Sequence, residues 1–441
     1  MHSLAIALKK NGHEVSGSDD AIFDPSLTQL QKAEICPEQM GWYPDKINKE
    51  LDAVIIGMHA KKDNLELLAA QNMGLPLFSY PEFIAQYSRN KTRVVIGGSH
   101  GKTTISAMVL HVLNYHQKSV DYVIGAQLEG FGNSVLLSDN NDFMILEGDE
   151  YLSSPIDPRP KFHHYKPQIA LISGIAWDHI NVFKTEADYN LQFEIFIESI
   201  TAGGVLVYNE DDETLRKLAG DTQNTIRKEP YTILDYSISE GVTYLETDEG
   251  PIPLVVFGKH NLSNLSGAKW ICQLMGVDED DFFQAISTFK GASKRLELLY
   301  KGKTCYLFKD FAHAPSKVKA TTKAVKEQFP DFKLIACLEL HTYSSLDPSF
   351  IDRYRNSLEK ADLPIVFYDP EALIIKNRPQ ISPDEIIKAF DLPELTVFKE
   401  PQKLKDHLFE LDYHHKVLLM MSSGNYGGLG WETLISKISH Y

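Results

Sequence analysis

The stretch Gly97-Gly98-Ser99-His100-Gly101-Lys102-Thr103-Thr104 holds what a phosphate site needs: flexible backbone, an ammonium and hydroxyls. The usual phosphate loop reads G-x-x-x-x-G-K-[ST], but here Ile96 stands five positions before Gly101, so this loop is one residue short. It follows the apolar run Val94-Val95-Ile96 and precedes "ISAMVLHVL", a helix candidate whose free amides and positive end would face phosphate. Lys102, expected as an exposed ammonium, would serve the β and γ phosphates, and Thr103 would offer magnesium a hydroxyl. Two further apolar runs end in suitable ligands. After "FMIL" come Glu147, Asp149 and Glu150, and after "IALISGI" come Asp178 and His179. Taken singly, each has a plainer reading: a chance string, solvated loop acids, a structural histidine. Jointly, at strand ends, they point to ATP and Mg2+.

Strand-like runs alternate with helical stretches along all 441 residues, which is the pattern of parallel α/β domains. A first block opens on a helix, Leu4 to Lys9, stopped at Asn11-Gly12; a short strand is expected before "GSDD", then "DAVIIGM" and "LPLFSY". Polar stretches near residues 90 and 293 separate three domains, 1–90, 91–293 and 294–441. The fold class expected is α/β with three consecutive, mostly parallel domains: a Rossmann-like first one, a P-loop ATPase-like central one and a Rossmann-like last one. A doubly wound domain normally opens on a strand and a Gly-rich turn, and here the first helix has neither before it, so the first strand is expected to be missing.

The net charge of -16 repels a polyanion and argues against nucleic acid as the main partner. Cys36, Cys272, Cys305 and Cys337 form no C-x-x-C pair, which makes zinc and a disulfide framework unexpected and suits a reducing cytoplasm. No apolar run reaches membrane-spanning length, and the start is too soon basic for a signal peptide, so a cytoplasmic protein is expected.

In sequence order, "GGSHGKTT", "LEGDEY", "AWDH", "GKHNLSN", "SKRLE" and "DFAHAP" resemble the Mur ligases, the ATP-dependent amide ligases of peptidoglycan assembly. The shortened loop, Gly98 to Thr104, is similar to the form found there. The resemblance implies Gly98, Ser99, His100, Gly101, Lys102, Thr103 and Thr104 around the ATP phosphates, Thr103 and Glu150 on one magnesium, and His179 on a second. It implies His260 and Asn261 at the adenine end of ATP, Arg295 and Asp310 near phosphates and ribose, and His313 on the substrate side. Lys102, Glu150, His179 and His313 would be the catalytic set. Without that resemblance, Asn261 reads as a helix cap and Arg295 as a surface arginine.

Within the family, "DEYLSSPIDPRPKFHHYKP" resembles the branch that joins UDP-N-acetylmuramate to a recycled tripeptide; the branch that adds L-alanine is the near relative. Partners implied are thus UDP-N-acetylmuramate and an amino acid or peptide amine. Lys309-Asp310, His313-Ala314 and "MMSSGNYGGLGWE" depart from the relatives' third-domain forms, which bears on the choice of amine. A non-catalytic nucleotide-binding protein on the same scaffold is the expectation from another class, against which stands the retention of Lys102, Thr103, Glu150 and His179.

Overall fold

The computed structural model describes every residue except 126–129, 178–181, 293, 294 and 377. Contacts gather the chain into two compact units, one of Met1–Ile175, Ala187–Tyr231 and Trp270–Val277, the other of Ala176–Glu186, Thr232–Lys269 and Asp278–Tyr441.

The first unit opens on the helix His2–Lys10, which buries Leu4, Ile6, Ala7 and Leu8 and ends where Gly12 takes a left-handed φ of 86°. The strand expected before "GSDD" does not form. In the run from His13 to Ser16 only Val15 is apolar, too little burial to offset the ordering of a strand, and the segment stays irregular and mostly exposed. Two short parallel strands follow, β1 (Val54–Ile56) and β2 (Leu77–Ser79). The helix Tyr80–Tyr87 then begins in a capping box between Ser79 and Glu82.

Among the described residues nine strands complete this unit: β3 (Thr92–Gly97), β4 (Asp121–Val123), β5 (Val135–Leu136), β6 (Phe143–Glu147), β7 (Leu152–Ser154), β8 (Asp157–Pro160), β9 (Ile169–Ile172), β10 (Val205–Asn209) and β11 (Arg227–Tyr231). Seven of them form a sheet in the order β11-β10-β9-β3-β6-β4-β5, parallel except between β4 and β5, while β7 and β8 pair as a small hairpin. Val94-Val95-Ile96, Met144-Ile145-Leu146 and Ala170-Leu171-Ile172 are fully buried, as strands covered on both faces must be. Register sets Ile96 beside Glu147 and Gly97 beside Ile172, so three neighbouring strands deliver their carboxyl ends at one level.

The second unit holds an antiparallel sheet absent from the sequence reading, β12 (Tyr236–Ser239), β13 (Val242–Thr247) and β14 (Gly250–Leu254). Its sheet of six comprises β15 (Glu297–Lys301), β16 (Cys305–Asp310), β17 (Lys333–Leu340), β18 (Leu363–Tyr368), β19 (Thr396–Phe398) and β20 (Lys416–Met421). The order is β15-β16-β20-β17-β18-β19, with β15 alone antiparallel to its neighbour. Alternation splits the core across its faces: Leu334, Ala336 and Leu338 pack on one, Ile335 and Cys337 on the other. Among the described residues no helix is long and apolar enough to cross a membrane.

Candidate functional site

The chain leaves β3 through Gly98, whose φ of 122° only glycine adopts readily and where a Cβ would stand 2.2 Å from Ser173 Oγ. Gly101, at φ 81°, turns the chain into the helix Lys102–Tyr115. The loop is laced to the end of β9: Ser99 N donates to Gly174 O at 3.0 Å, and Ser173 Oγ donates to the carbonyls of Gly97 and His100. Apart from His111 and its polar ends the helix is buried, Thr103 and Thr104 included, so its N-terminus is fixed at the carboxyl ends of the central strands.

Lys102 is not the exposed ammonium expected from sequence. Its side chain is only 11% exposed, donating to Glu150 Oε2 at 2.6 Å and to Gly98 O at 2.7 Å, with Asp149 Oδ1 at 3.7 Å. Burial alone would lower its pKa, but Glu150 and Asp149 outweigh that and raise it. The other oxygen of Glu150 accepts from Tyr189 OH at 3.0 Å, and that hydroxyl also meets Ser99 Oγ at 2.7 Å. Thr103 Oγ1 donates to Glu147 Oε1 at 2.8 Å, while Glu147 Oε2 accepts from Gly125 N at 2.7 Å. Lys161 Nζ donates to Asp149 Oδ2 at 2.8 Å; burial would raise the Asp149 pKa, and Lys161 with Lys102 brings it below the usual carboxylate value.

The donors gathered here, a threonine hydroxyl and carboxylates, are hard oxygen ligands of the kind magnesium takes beside phosphate, so the residues fit that ion. His179 and Asp178 lie outside the described residues. Glu82, Asp157 and His164 also approach one another closely enough to hold a cation, but Arg159 already bridges Asp157 at 2.7 Å and Glu82 at 3.3 Å. Tyr189, Ser173 and Lys161 escaped the sequence reading. A tyrosine or serine in such runs looks like core or cap, and only the "KFHHYKP" string flagged the region of Lys161.

The second unit carries the other residues read from sequence. Burial lowers the His260 pKa, and the Asp310 carboxylate partly opposes this. Asp310, at the end of β16, accepts from Leu296 N at 3.1 Å and Thr321 Oγ1 at 2.7 Å. Arg295 lies over the Phe311 ring at 4.8 Å, and His313 Nδ1 donates to Phe311 O at 2.8 Å. Asn261 sits inside the helix Lys259–Leu274, its amide donating to Phe257 O four residues back at 2.9 Å. The loop after β20 is organised by Glu339, 2% exposed, which accepts from Ser422 Oγ and from Tyr426 N at 3.0 Å.

Comparison with known proteins follows the same lines. The family model for the Mur ligase middle domain matches residues 96–272, and that described as Mur ligase family, catalytic domain, matches 1–92, together more than half of the chain. The UDP-N-acetylmuramate--L-alanine ligase of Caldicellulosiruptor bescii is 29% identical over 379 residues, 83% of this chain and 80% of the relative. A crystal structure of the murein peptide ligase from Psychrobacter arcticus shares the fold with a TM-score of 0.67 at 21% identity, covering 100% of this chain and 97% of that one. The UDP-N-acetylmuramate-alanine ligase of Thermotoga maritima does so with a TM-score of 0.69 at 19% identity, covering 100% and 96%.

Proposed function

The chain belongs to the Mur ligase family of ATP-dependent, ADP-forming acid–amino acid ligases, and on that premise we propose that it joins the lactyl carboxylate of UDP-N-acetylmuramate to the amine of a recycled murein tripeptide. In this reading residues 1–90 hold the UDP sugar, 91–293 hold ATP and 294–441 present the amine. A carboxylate does not react with an amine at neutral pH, because oxide would have to leave. Phosphorylation by ATP gives an acyl phosphate and ADP, and the amine then displaces phosphate through a tetrahedral intermediate.

The constellation of Lys102, Thr103, Glu147 and Glu150 at neighbouring strand ends carries this assignment. Lys102, preorganised at the helix N-terminus, would exchange Glu150 for phosphate oxygens and stabilise the charge that builds during transfer. Thr103 and Glu150 would hold one magnesium and His179 a second, and magnesium when bound supplies further positive charge to the phosphates. His260, Asn261, Arg295 and Asp310 would contact the nucleoside end of ATP, and His313 the substrate side.

The tripeptide is favoured by the stretch Asp157 to Phe162 and its surroundings, which resemble the tripeptide-adding branch. A second reading, ligation of L-alanine, draws on the 29% identity to the Caldicellulosiruptor bescii enzyme. Phosphate release measured side by side with L-alanyl-γ-D-glutamyl-meso-diaminopimelate and with free L-alanine tests the choice. Turnover with the tripeptide and little with alanine is expected; a preference for alanine transfers the chain to the second reading.

A further inference from the structure

Lys161 opens the turn Lys161–His164, and that turn is fixed without help from its charge. Phe162 is fully buried and stacks on Phe196 at 4.5 Å, Lys161 N donates to Tyr151 O at 3.0 Å, and Phe162 N donates to Asp149 O at 3.2 Å. The turn also packs on the helix Tyr80–Tyr87 of the first domain, so it stands where the sequence blocks for sugar nucleotide and ATP meet. From it the ammonium reaches Asp149 Oδ2 at 2.8 Å, the carboxylate that Lys102 approaches from its other oxygen at 3.7 Å.

Two ammonium groups on one carboxylate repel each other, and a partly exposed ion pair of this kind contributes only about 0–1 kcal/mol. The stabilisation that Lys161 lends Asp149 is therefore small, a weak reason for a second cation beside the phosphate lysine. The chemistry gives a stronger one, since the reaction must bring a carboxylate against a polyphosphate. The Lys161 side chain is 22% exposed and its ammonium makes a single hydrogen bond among the described residues, leaving two N–H donors for an anion.

We infer that Lys161 receives the lactyl carboxylate of UDP-N-acetylmuramate and aligns it for attack on the γ phosphate, with Asp149 holding the ammonium in place between Lys102 and the sugar. No bond to Lys161 forms or breaks; it orients one anion and offsets its repulsion from the other. This rests on the functional reading above and adds a residue to it.

The test compares binding of UDP-N-acetylmuramate with that of UDP-N-acetylglucosamine, which lacks the lactyl carboxylate, by calorimetry on the full chain. The wild type should bind the muramate sugar more tightly. In Lys161→Met that preference should vanish, through a loss of about tenfold or more for the muramate sugar alone, while ATP affinity stays within about twofold; Lys161→Arg should recover part of it. Equal loss for both sugars, an unchanged preference, or a loss confined to ATP would overturn the assignment. A wild type that binds neither sugar would overturn the functional reading and this inference with it.

Discussion

Lys102 serves the fold and the chemistry together, and the two roles separate on mutation. Lys102→Ala should cut turnover by two to three decades, about 3–4 kcal/mol of barrier, as for loss of one preorganised donor. It should also lower the thermal midpoint, because Glu150, 1% exposed, loses its ammonium partner and breaking a buried pair costs about 3–5 kcal/mol. Adding Glu150→Gln should restore part of the midpoint and none of the turnover, read by calorimetry and ADP release on the same samples. Asp149 supplies a pH signature. Its folded pKa lies below the unfolded value of about 3.9, so its stabilisation is present above that pH and is lost as pH falls through the folded pKa. The midpoint difference between wild type and Asp149→Asn should be greatest near neutrality and close as the pH drops below about 4.

The elements around the site rest on two close contacts. At Gly98 a methyl group would meet Ser173 Oγ at 2.2 Å and Ser173 N at 2.9 Å in a backbone conformation that side chains avoid. Gly98→Ala should therefore cost about 1–3 kcal/mol and weaken ATP binding by about tenfold or more in a titration. Phe162, stacked on Phe196 and edge-on to Phe193 at 5.5 Å, ties the turn of Lys161 to the helix Glu186–Glu198 that carries Tyr189. Phe162→Ala should lower stability by about 3–5 kcal/mol in denaturant unfolding. Strongly apolar strands such as "VVIGG" and "FMILE" were legible because a strand buried on both faces must be apolar throughout. The sheet β12-β13-β14 was not, since its short strands carry exposed polar residues and, in β14, Pro251 and Pro253, even though Glu240-Gly241 and Asp248-Glu249-Gly250 mark its two turns. His13 to Ser16 shows the reverse, a segment whose position predicts a strand and whose backbone is irregular. Within the site, the loop and strand-end acids were visible because their spacing is local. The Ser99–Tyr189–Glu150 chain was not, because residues 90 and 39 positions apart meet only through packing.

At the scale of the whole molecule, parallel sheets recur through the chain, and two Mur ligase family models match consecutive parts of it. A ligase needs such a framework, since sugar nucleotide, ATP and amine must each be held and water kept from the acyl phosphate. A non-catalytic nucleotide binder on the same scaffold would also use Lys102 and Thr103 to hold phosphate and magnesium, so these contacts alone do not separate it from a ligase. The two readings part in one measurement, ADP formation by the full chain with ATP and magnesium, in the presence of UDP-N-acetylmuramate, the tripeptide, both or neither. The account predicts sustained ADP release only when both are present, and two to three decades less of it from Lys102→Ala. ATP binding by the wild type without ADP release in any combination, the L-alanine substitution included, would contradict it.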